Sequence, residues 1–302
     1  MASKTSVGFI GLGTMGAPMA RNILNRGHRL IVSDLQPAAV ASLTAAGAAA
    51  ARTPKEVAAA SDVVITMLPD APDVERVALG SDGIVAGIRR GAIYIDMSTI
   101  DPDTTRKVGE AIAAQGASMI DSPVGKTADH AVAGTLTLMV GGPDEVIARC
   151  RPVLDCMGTD LFHCGGLGAG QTMKLINNLL ATAVSAASIE ALVTGTKSGL
   201  TLDTMMSVLR TTMAWNNALA IALPKRPLAG DFGPGFMLKL AHKDGRLALG
   251  MAQKLGVATP VGSAALASLD EGMRRGLADD DVGALLKLRE EPAGVEVRLP
   301  RA

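Results

Sequence analysis

The chain has 302 residues, which is enough for two domains of ordinary size. Hydrophobic residues make up 48% of it and charged residues 19%, a composition typical of a soluble globular protein. Lys plus Arg equals Asp plus Glu at 29 each, and aromatic residues are only 2%, so neither charge nor stacking groups favour binding to nucleic acid or to an anionic membrane.

The cysteines and histidines offer no pattern typical of a metal site. Three cysteines are present, an odd number whose spacings match neither a CxxC pair nor a zinc ligand set: Cys150, Cys156 and Cys164. Three histidines have no cysteine or carboxylate at ligand spacing: His28, His163 and His242. We therefore expect reduced thiols in a cytosolic protein and no metal.

The opening stretch "MASKTSVGFIGLG" passes directly into a strand and a glycine turn, without the pattern of a secretory leader. No segment reaches the roughly 18 uninterrupted apolar residues that a membrane span needs. These features predict a cytoplasmic protein that does not enter a membrane.

The first predicted strand, "VGFIG", leads into a glycine turn and then a helix. Gly11, Gly13 and Gly16 have the spacing G-x-G-x-x-G, which in this position is the dinucleotide-binding fingerprint. In such a turn, Gly11 permits the tight bend, Gly13 lets the backbone approach a pyrophosphate, and Gly16 lets helix and strand pack closely. The phosphates would then lie at a helix N-terminus, beside the loop residues Leu12, Thr14 and Met15.

Asp34 ends the second predicted strand, "RLIVSD", about twenty residues after the glycine turn. An aspartate in this position accepts hydrogen bonds from the ribose hydroxyls of NAD and repels the 2′-phosphate of NADP. The alternative, that Asp34 is only a helix cap, stays open from the sequence. The glycines and Asp34 together predict NAD as cofactor.

Five further apolar runs alternate with segments of helical period: "SDVVITMLP", "GAIYIDMS", "SMIDSPV", "TLTLMVGG" and "DLFHCG". Asp101-Pro102 and Gly142-Pro143 are typical helix starts between them. This alternation predicts an α/β Rossmann-like domain over residues 1–165, with a parallel, doubly wound sheet.

The pattern changes after Gly165. "QTMKLINNLLATAVSAASIEALVTGTKSG" is a stretch of roughly thirty residues without proline and with apolar residues at helical spacing, so it predicts one long helix between the domains. The remainder also has helical periodicity, which predicts an all-α domain over residues 166–302. The final "EEPAGVEVRLPRA" has little periodicity and is expected to be a loose tail.

Lys174 and Asn178 are four residues apart on the long helix and therefore share one face. A lone lysine on a helix is usually solvated, but this one lies in a strongly apolar stretch. Beside a carbonyl substrate, such a lysine can supply a proton as hydride arrives, and Asn178 can orient it.

The blocks "GFIGLGTMGAPMARN", "DMSTI", "GTLTLMVGG", "GAGQTMKLINN" and "FMLKLAHKD" resemble those of the β-hydroxyacid dehydrogenases, in the same order. The resemblance covers most of the chain. It implies a Rossmann-like domain, a helical domain that also forms a homodimer or homotetramer, and an active site in the cleft between the two. It also implies that Lys174 is the proton donor in reduction.

The same resemblance assigns roles to further residues by position. Ser98 and Thr99 are implied near the nicotinamide and the substrate, and Lys243 near the nicotinamide end. The segment along the cofactor is implied to be Met67, Leu68 and Pro69. Asn178 is implied to assist Lys174.

The chain departs from the family at "DSPVGKT", where most members have D-x-P-V-S-G-G and use the serine and glycines for the substrate carboxylate. Gly125, Lys126 and Thr127 stand there instead, which resembles a branch with D-x-P-V-G-R-T that reduces 3-sulfolactaldehyde. We therefore expect Lys126 and Thr127 to hold the anionic end of a small substrate, a sulfonate or a carboxylate. A lysine cannot form the two-pronged contact of the branch's arginine.

Several alternatives stay open. The leading substrates are 3-sulfolactaldehyde and succinate semialdehyde, and the alternatives are 3-hydroxyisobutyrate and tartronate semialdehyde. An imine reductase is disfavoured because those relatives lack a lysine at position 174, and a 6-phosphogluconate dehydrogenase because its helical domain is far larger. A protein that senses NAD without catalysis is the alternative from another class. His130 is expected at the surface, and Trp215 in a core or a pocket wall.

Overall fold

The computed structural model describes residues 5–299. The chain forms two compact units that meet between Lys174 and Leu175. This position lies nine residues beyond the boundary expected at Gly165, because the first residues of the long helix are hydrogen-bonded to the sheet of the first unit.

The first unit is built on a sheet with the strand order 3-2-1-4-5-6-8-7, and the ninth strand also pairs with the eighth. Its strands are β1 (Ser6–Ile10), β2 (Arg29–Ser33), β3 (Ala49–Ala50), β4 (Val63–Thr66), β5 (Ile93–Asp96), β6 (Ser118–Asp121), β7 (Val124–Gly125), β8 (Leu136–Gly141) and β9 (Gly158–Gly165). The first six strands pair in parallel, and the order reverses on either side of β1. This is the Rossmann-like arrangement, and ligands of such sheets bind at the carboxyl ends of the strands beside the reversal.

Seven helices connect these strands: α1 (Gly16–Asn25), α2 (Pro37–Thr44), α3 (Pro54–Ala59), α4 (Ala71–Leu79), α5 (Pro102–Ala114), α6 (Ala128–Ala133) and α7 (Asp144–Leu154). Asp101 caps α5 through the Thr104 N–H, as the Asp101-Pro102 pair predicts. Two buried clusters, one on each face of the sheet, contain Phe9 and Ile23 on one side and Val57 and Ile112 on the other. The doubly wound fold is therefore confirmed.

The direction of β8 differs from the parallel sheet that the sequence predicts. Asp121 of β6 pairs with Gly141 antiparallel, and β7 pairs with β8 in the same sense. Only residues 126–135 connect β7 to β8, whereas a parallel connection needs a crossover of a dozen or more residues. The short connection therefore reverses the strand.

The second unit is helical, as expected. Its helices are the long α8 (Ala169–Lys197), which begins in the first unit, and α9 (Leu202–Arg210), α10 (Leu223–Lys225), α11 (Leu238–Lys254), α12 (Pro260–Arg274) and α13 (Leu285–Ala293). A π-helix covers Ala218–Ala222, and short 3-10 turns cover Pro227–Ala229 and Val282–Ala284. Leu192, Leu228, Leu238 and Leu286 are among the buried side chains of its core.

By length and composition, α8 is one helix of the described chain that could cross a membrane, with a mean hydropathy of 1.4 over its most apolar window. Of that window, 28% is buried within the protein. Core helices of soluble proteins meet the same criteria, so this finding is weak evidence for a span.

The expectation of a loose C-terminal tail is wrong for the part that the structure describes. Val297 is buried, and its N–H donates to Glu290 at 2.6 Å. The Leu299 N–H donates to the Leu228 carbonyl at 2.8 Å. Neither contact depends on a periodic pattern of residues, so periodicity could not predict them. Residues 300–302 lie outside the described chain.

Candidate active site

The glycine turn has the backbone that its three glycines predict. Gly11 has φ +92°, a conformation that residues with a Cβ rarely adopt. A Cβ on Gly16 would overlap the Gly11 carbonyl, so this glycine permits the close approach of α1 to the turn. A Cβ on Gly13 would meet nothing within 4 Å, and Gly13 and Thr14 are exposed. The turn therefore leaves open space for a pyrophosphate at the N-terminus of α1.

Asp34 lies at the carboxyl end of β2, half-buried, and is bonded to the same turn. Its Oδ2 accepts the Leu12 N–H at 2.6 Å, and its Oδ1 accepts the Gln36 N–H at 2.7 Å. The carboxylate therefore shapes the glycine turn in addition to the role toward ribose that the sequence predicts. A carboxylate has further acceptor capacity for a ribose hydroxyl.

Met67, Leu68 and Pro69 follow β4, and the first two of them lie next to Gly11 of the glycine turn. Ser98 and Thr99 follow β5, the next strand of the sheet. Ser98 is fully buried, and its hydroxyl accepts the Leu68 N–H at 2.9 Å. The observed partners of this serine thus lie within the protein, and its contact with substrate stays a prediction.

Buried polar side chains of β4 and β5 form a hydrogen-bonded chain next to the carboxyl edge of the sheet. The Thr66 hydroxyl lies 2.7 Å from the Tyr94 hydroxyl and donates to Asp96 Oδ1 at 2.8 Å. The same oxygen accepts the Ser98 N–H at 3.1 Å. Burial, with the Asp96 charge nearby, raises the pKa of Tyr94 well above its ordinary value, so this phenol stays neutral.

Asp121 ends β6 and binds the start of α8. Its Oδ1 accepts the Gly168 N–H and its Oδ2 the Gln171 N–H, both at 2.7 Å. The Gln171 amide in turn donates to the Ser98 carbonyl at 2.8 Å and accepts the Ile100 N–H at 3.2 Å. Lys174, partly buried, follows three residues later. The turn of α8 before Lys174 is therefore bonded to β6 and to the segment that follows β5.

Lys126 has the left-handed conformation, with φ +76°. Its ammonium lies 2.8 Å from Asp160 Oδ2 and donates to the Thr135 carbonyl at 2.8 Å. Gly125 pairs with Thr137 on β8, and Thr137 pairs with Asp160 on β9, so the side chain reaches across β8. The cation thus has a carboxylate partner that the sequence analysis did not identify, and its binding of a substrate anion stays a prediction.

Asn178 lies one turn beyond Lys174 on α8 and is 8% exposed. Its amide donates to Asp244 Oδ2 at 2.6 Å and accepts from Asn177 at 2.9 Å. Asp244 is 3% exposed, and its Oδ1 lies 3.2 Å from the Lys243 ammonium. The second unit thus gathers Asn178, Lys243 and Asp244, the last of which the sequence analysis missed although it adjoins Lys243.

The structure locates His130, which was expected at the surface, and Trp215, which was expected in a core or a pocket wall. His130 is exposed, and its Nδ1 lies 2.9 Å from the Thr127 hydroxyl. Trp215 packs partly buried against the core of the second unit, with the Arg210 guanidinium 5.4 Å from its ring. It also lines a surface depression of about 320 Å³ together with Met206 and Leu219.

The residues present fit a dinucleotide. Gly11, Gly13 and Gly16 form an open cradle at a helix N-terminus, and Asp34 lies beside it. Within residues 5–299, the structure places no group of three or more His, Cys, Asp or Glu residues where they could hold a metal ion.

Two family models match the chain in succession. Residues 6–166 match the model described as the NAD binding domain of 6-phosphogluconate dehydrogenase. Residues 168–289 match the model described as NAD-binding of NADP-dependent 3-hydroxyisobutyrate dehydrogenase. Between them they cover both units.

Individual proteins of known activity are similar over most of the chain. A 3-hydroxyisobutyrate dehydrogenase of Pseudomonas aeruginosa is 43% identical over 86% of this chain and 90% of its own. A 3-sulfolactaldehyde reductase of Escherichia coli is 39% identical over 97% of this chain and 99% of its own. A solved Mycobacterium tuberculosis 3-hydroxyisobutyrate dehydrogenase with L-serine has a TM-score of 0.88 at 34% identity, covering 94% of this chain and 98% of that one.

Proposed function

Since this chain belongs to the β-hydroxyacid dehydrogenase family and is an NAD-dependent oxidoreductase of CH–OH groups, we propose that its substrate is a short aldehyde with an acidic group, or the corresponding alcohol. The observation that supports the proposal is the position of Lys174 directly after the turn of α8 that hydrogen bonds hold to Asp121 of β6 and to the Ser98 carbonyl after β5.

The cofactor, when bound, supplies or accepts a hydride at C4 of its nicotinamide. The glycine turn and Asp34 would hold its pyrophosphate and ribose, with Met67, Leu68, Pro69 and Thr99 alongside and Lys243 toward the nicotinamide. In reduction, the Lys174 ammonium donates a hydrogen bond to the aldehyde oxygen and transfers a proton to it as the C–H bond forms. In oxidation, the neutral amine accepts the proton of the alcohol. Asn178, itself bonded to Asp244, would orient the lysine or the substrate.

We assign the acidic end of the substrate to the turn of Gly125, Lys126 and Thr127, together with Ser98. Holding that end would place the carbonyl carbon for hydride transfer, so binding contributes directly to proximity. A left-handed residue next to exposed backbone can aim N–H groups at an anion, and the ammonium adds charge. We favour 3-sulfolactaldehyde or succinate semialdehyde, with 3-hydroxyisobutyrate or tartronate semialdehyde as the alternative.

The test is NADH oxidation with 3-sulfolactaldehyde, succinate semialdehyde, tartronate semialdehyde and methylmalonate semialdehyde on the wild type, Lys174→Ala and Lys126→Ala. We expect Lys174→Ala to abolish turnover while NADH still binds, measured by fluorescence. We expect Lys126→Ala to raise KM for the preferred acid alone. Unchanged activity in Lys174→Ala would contradict the proposal. Inactivity of the wild type on every acid would favour an imine reductase, or a protein that senses NAD without catalysis.

We also propose a homodimer or homotetramer. Ile176 and Leu180, on the apolar helix α8, are 48% and 64% exposed, and apolar surface of this kind is often covered by a partner subunit. Light scattering would measure the mass. A monomer at micromolar concentration would contradict this proposal and leave the catalytic one unaffected.

A further inference from the structure

We propose that Asp121 is a positioning residue for the reaction, because its carboxylate holds the N-terminal turn of α8 against the sheet and thereby sets the place of Lys174. The inference rests on the proposed function in one respect, that Lys174 is the proton donor. It concerns a residue that the sequence analysis did not single out.

The carboxylate uses both oxygens for this contact. The first N–H groups of a helix have no partner within the helix, and the helix dipole favours a negative charge there. Gly168 N–H and Gln171 N–H donate to the two oxygens at 2.7 Å each, a distance typical of hydrogen bonds to an ionised group. One side chain of β6 thus satisfies two donors at the start of α8.

The surrounding backbone is built closely around this carboxylate. A Cβ on Gly170 would lie 2.8 Å from Asp121 Oδ2, and a Cβ on Gly141 would overlap Oδ1. Glycine is therefore required on both sides, on α8 and on β8. Because neither α8 nor β8 has room for a side chain beside this carboxylate, α8 has little freedom to shift against the sheet.

Gln171 extends the contact to the neighbouring strand. Its side chain binds the Ser98 carbonyl and the Ile100 N–H, which follow β5. Lys174 is three residues further, a spacing that puts it on the same side of the helix. A shift of about 1 Å in a catalytic group can lower a rate by about 100-fold, so the contacts of this turn bear directly on catalysis.

The protonation of Asp121 changes the contact. Burial raises the pKa of this carboxyl to about 6, with the Asp96 charge of β5 adding to the rise and the Gly168 and Gln171 N–H groups opposing it. The Cys164 thiol of β9 also faces it, with a pKa raised by burial and by Asp121. Above pH 6 the carboxylate accepts both N–H groups, whereas a protonated carboxyl presents an O–H to one of them.

The experiment compares Asp121→Asn with a matched control, Asp281→Asn. Asp281 is also a buried carboxylate that accepts two backbone N–H groups, from Gly283 at 2.8 Å and Phe236 at 2.9 Å, but both of these partners belong to the second unit. For each variant we measure kcat, the KM for NADH, the pH profile of kcat and the melting temperature. Gln171→Leu is the second variant, since it keeps the backbone N–H and removes the side-chain bonds.

We expect Asp121→Asn to lower kcat by about 10- to 100-fold with KM for NADH within about twofold of the wild type. The decline of wild-type kcat below pH 6 should be absent from Asp121→Asn and present in Asp281→Asn. Gln171→Leu should have a lower kcat than the wild type, and its kcat should still decline below pH 6. If Asp121→Asn does not fold, the kcat of Gln171→Leu and the pH profile of the wild-type kcat test the inference instead.

The inference would be overturned if Asp121→Asn kept the wild-type kcat and the decline of kcat below pH 6. It would also be overturned if Asp281→Asn lost as much kcat as Asp121→Asn. If the Asp121→Asn protein is not obtained folded, a wild-type kcat in Gln171→Leu or a flat wild-type profile near pH 6 would overturn it. Failure of the proposed function is distinct, because there Lys174→Ala itself would keep full activity.

Discussion

The Nζ atom of Lys126 lies 2.8 Å from Oδ2 of Asp160, two residues that are 34 positions apart in the chain. If the ammonium also receives the substrate anion, then Asp160 competes for it. We expect Asp160→Asn to lower the KM for an acidic aldehyde by about two- to fivefold, the size of effect expected for a partly exposed ion pair. Steady-state kinetics at constant ionic strength would measure it.

The matched variants are Lys126→Ala and Lys126→Gly, which both lack the amine but differ in how well they tolerate φ +76°. Both should raise KM, and Asp160→Asn should have no effect in either background. A rise in KM from Asp160→Asn comparable to that of Lys126→Ala would mean that the pair only orders the turn.

Alanine substitutions at two glycines of the glycine turn should have different effects, one on cofactor binding and one on stability. Gly13→Ala adds a methyl group to open space, so it should fold normally and raise the KM for NADH by at least about tenfold, because the methyl blocks the approach of the pyrophosphate. Gly16→Ala places its methyl group on the Gly11 carbonyl and should cost about 1–3 kcal/mol of the free energy of unfolding. Kinetics and urea unfolding of both variants would separate them. A Gly13→Ala protein with normal KM would argue against a pyrophosphate at this turn.

Asp34 should control the choice between the two nicotinamide cofactors. Asp34→Asn removes the charge that repels a 2′-phosphate and weakens the bond to the Leu12 N–H. We expect the ratio of kcat/KM for NADH over NADPH to fall by about tenfold or more, the size expected when a hydrogen bond to a charged group is lost. Kinetics with both cofactors would show it. If kcat/KM fell equally with NADH and NADPH, Asp34 would only shape the glycine turn.

Asp121 should also make stability depend on pH with a definite sign. Its pKa rises from 3.8 to about 6 on folding, so the folded state holds the proton more tightly. The stability it contributes is therefore full below pH 3.8 and is lost as pH rises through 6. Between pH 5 and 7, the free energy of unfolding of the wild type should decrease by about 1 kcal/mol more than that of Asp121→Asn. Parallel urea titrations would test this, and identical pH dependence would contradict the raised pKa.

Much of the fold could be predicted because its signals are local. Apolar runs, helix caps and the glycine turn each depend on a few adjacent residues, and they correctly indicated seven strands, the glycine turn and a helix of about thirty residues. The two strands that were not predicted, Ala49–Ala50 and Val124–Gly125, have two residues each, too few for a period. The antiparallel β8 was missed because strand direction depends on the length of a connection and not on the strand's own pattern.

The residues of the candidate site divide in the same way. The sequence alone identified Gly11, Gly13, Asp34 and Lys174, because a nucleotide turn and a lysine in an apolar helix are patterns of neighbouring residues. It could not identify the partners of these groups. Asp160 meets Lys126 through the register of β7, β8 and β9, and Asp121 meets Gln171 from 50 positions away.

The sequence therefore predicted the cofactor class from the spacing of the glycines and Asp34. It proposed Lys174 as the proton donor from its place in an apolar helix together with the family resemblance. The three-dimensional arrangement decided which carboxylates accept hydrogen bonds from which donors, and which contacts hold the turn of α8 before Lys174. The physical reason is that hydrogen bonds and ion pairs act over about 3 Å in space, whereas sheet pairing brings together residues whose separation along the chain leaves no periodic trace.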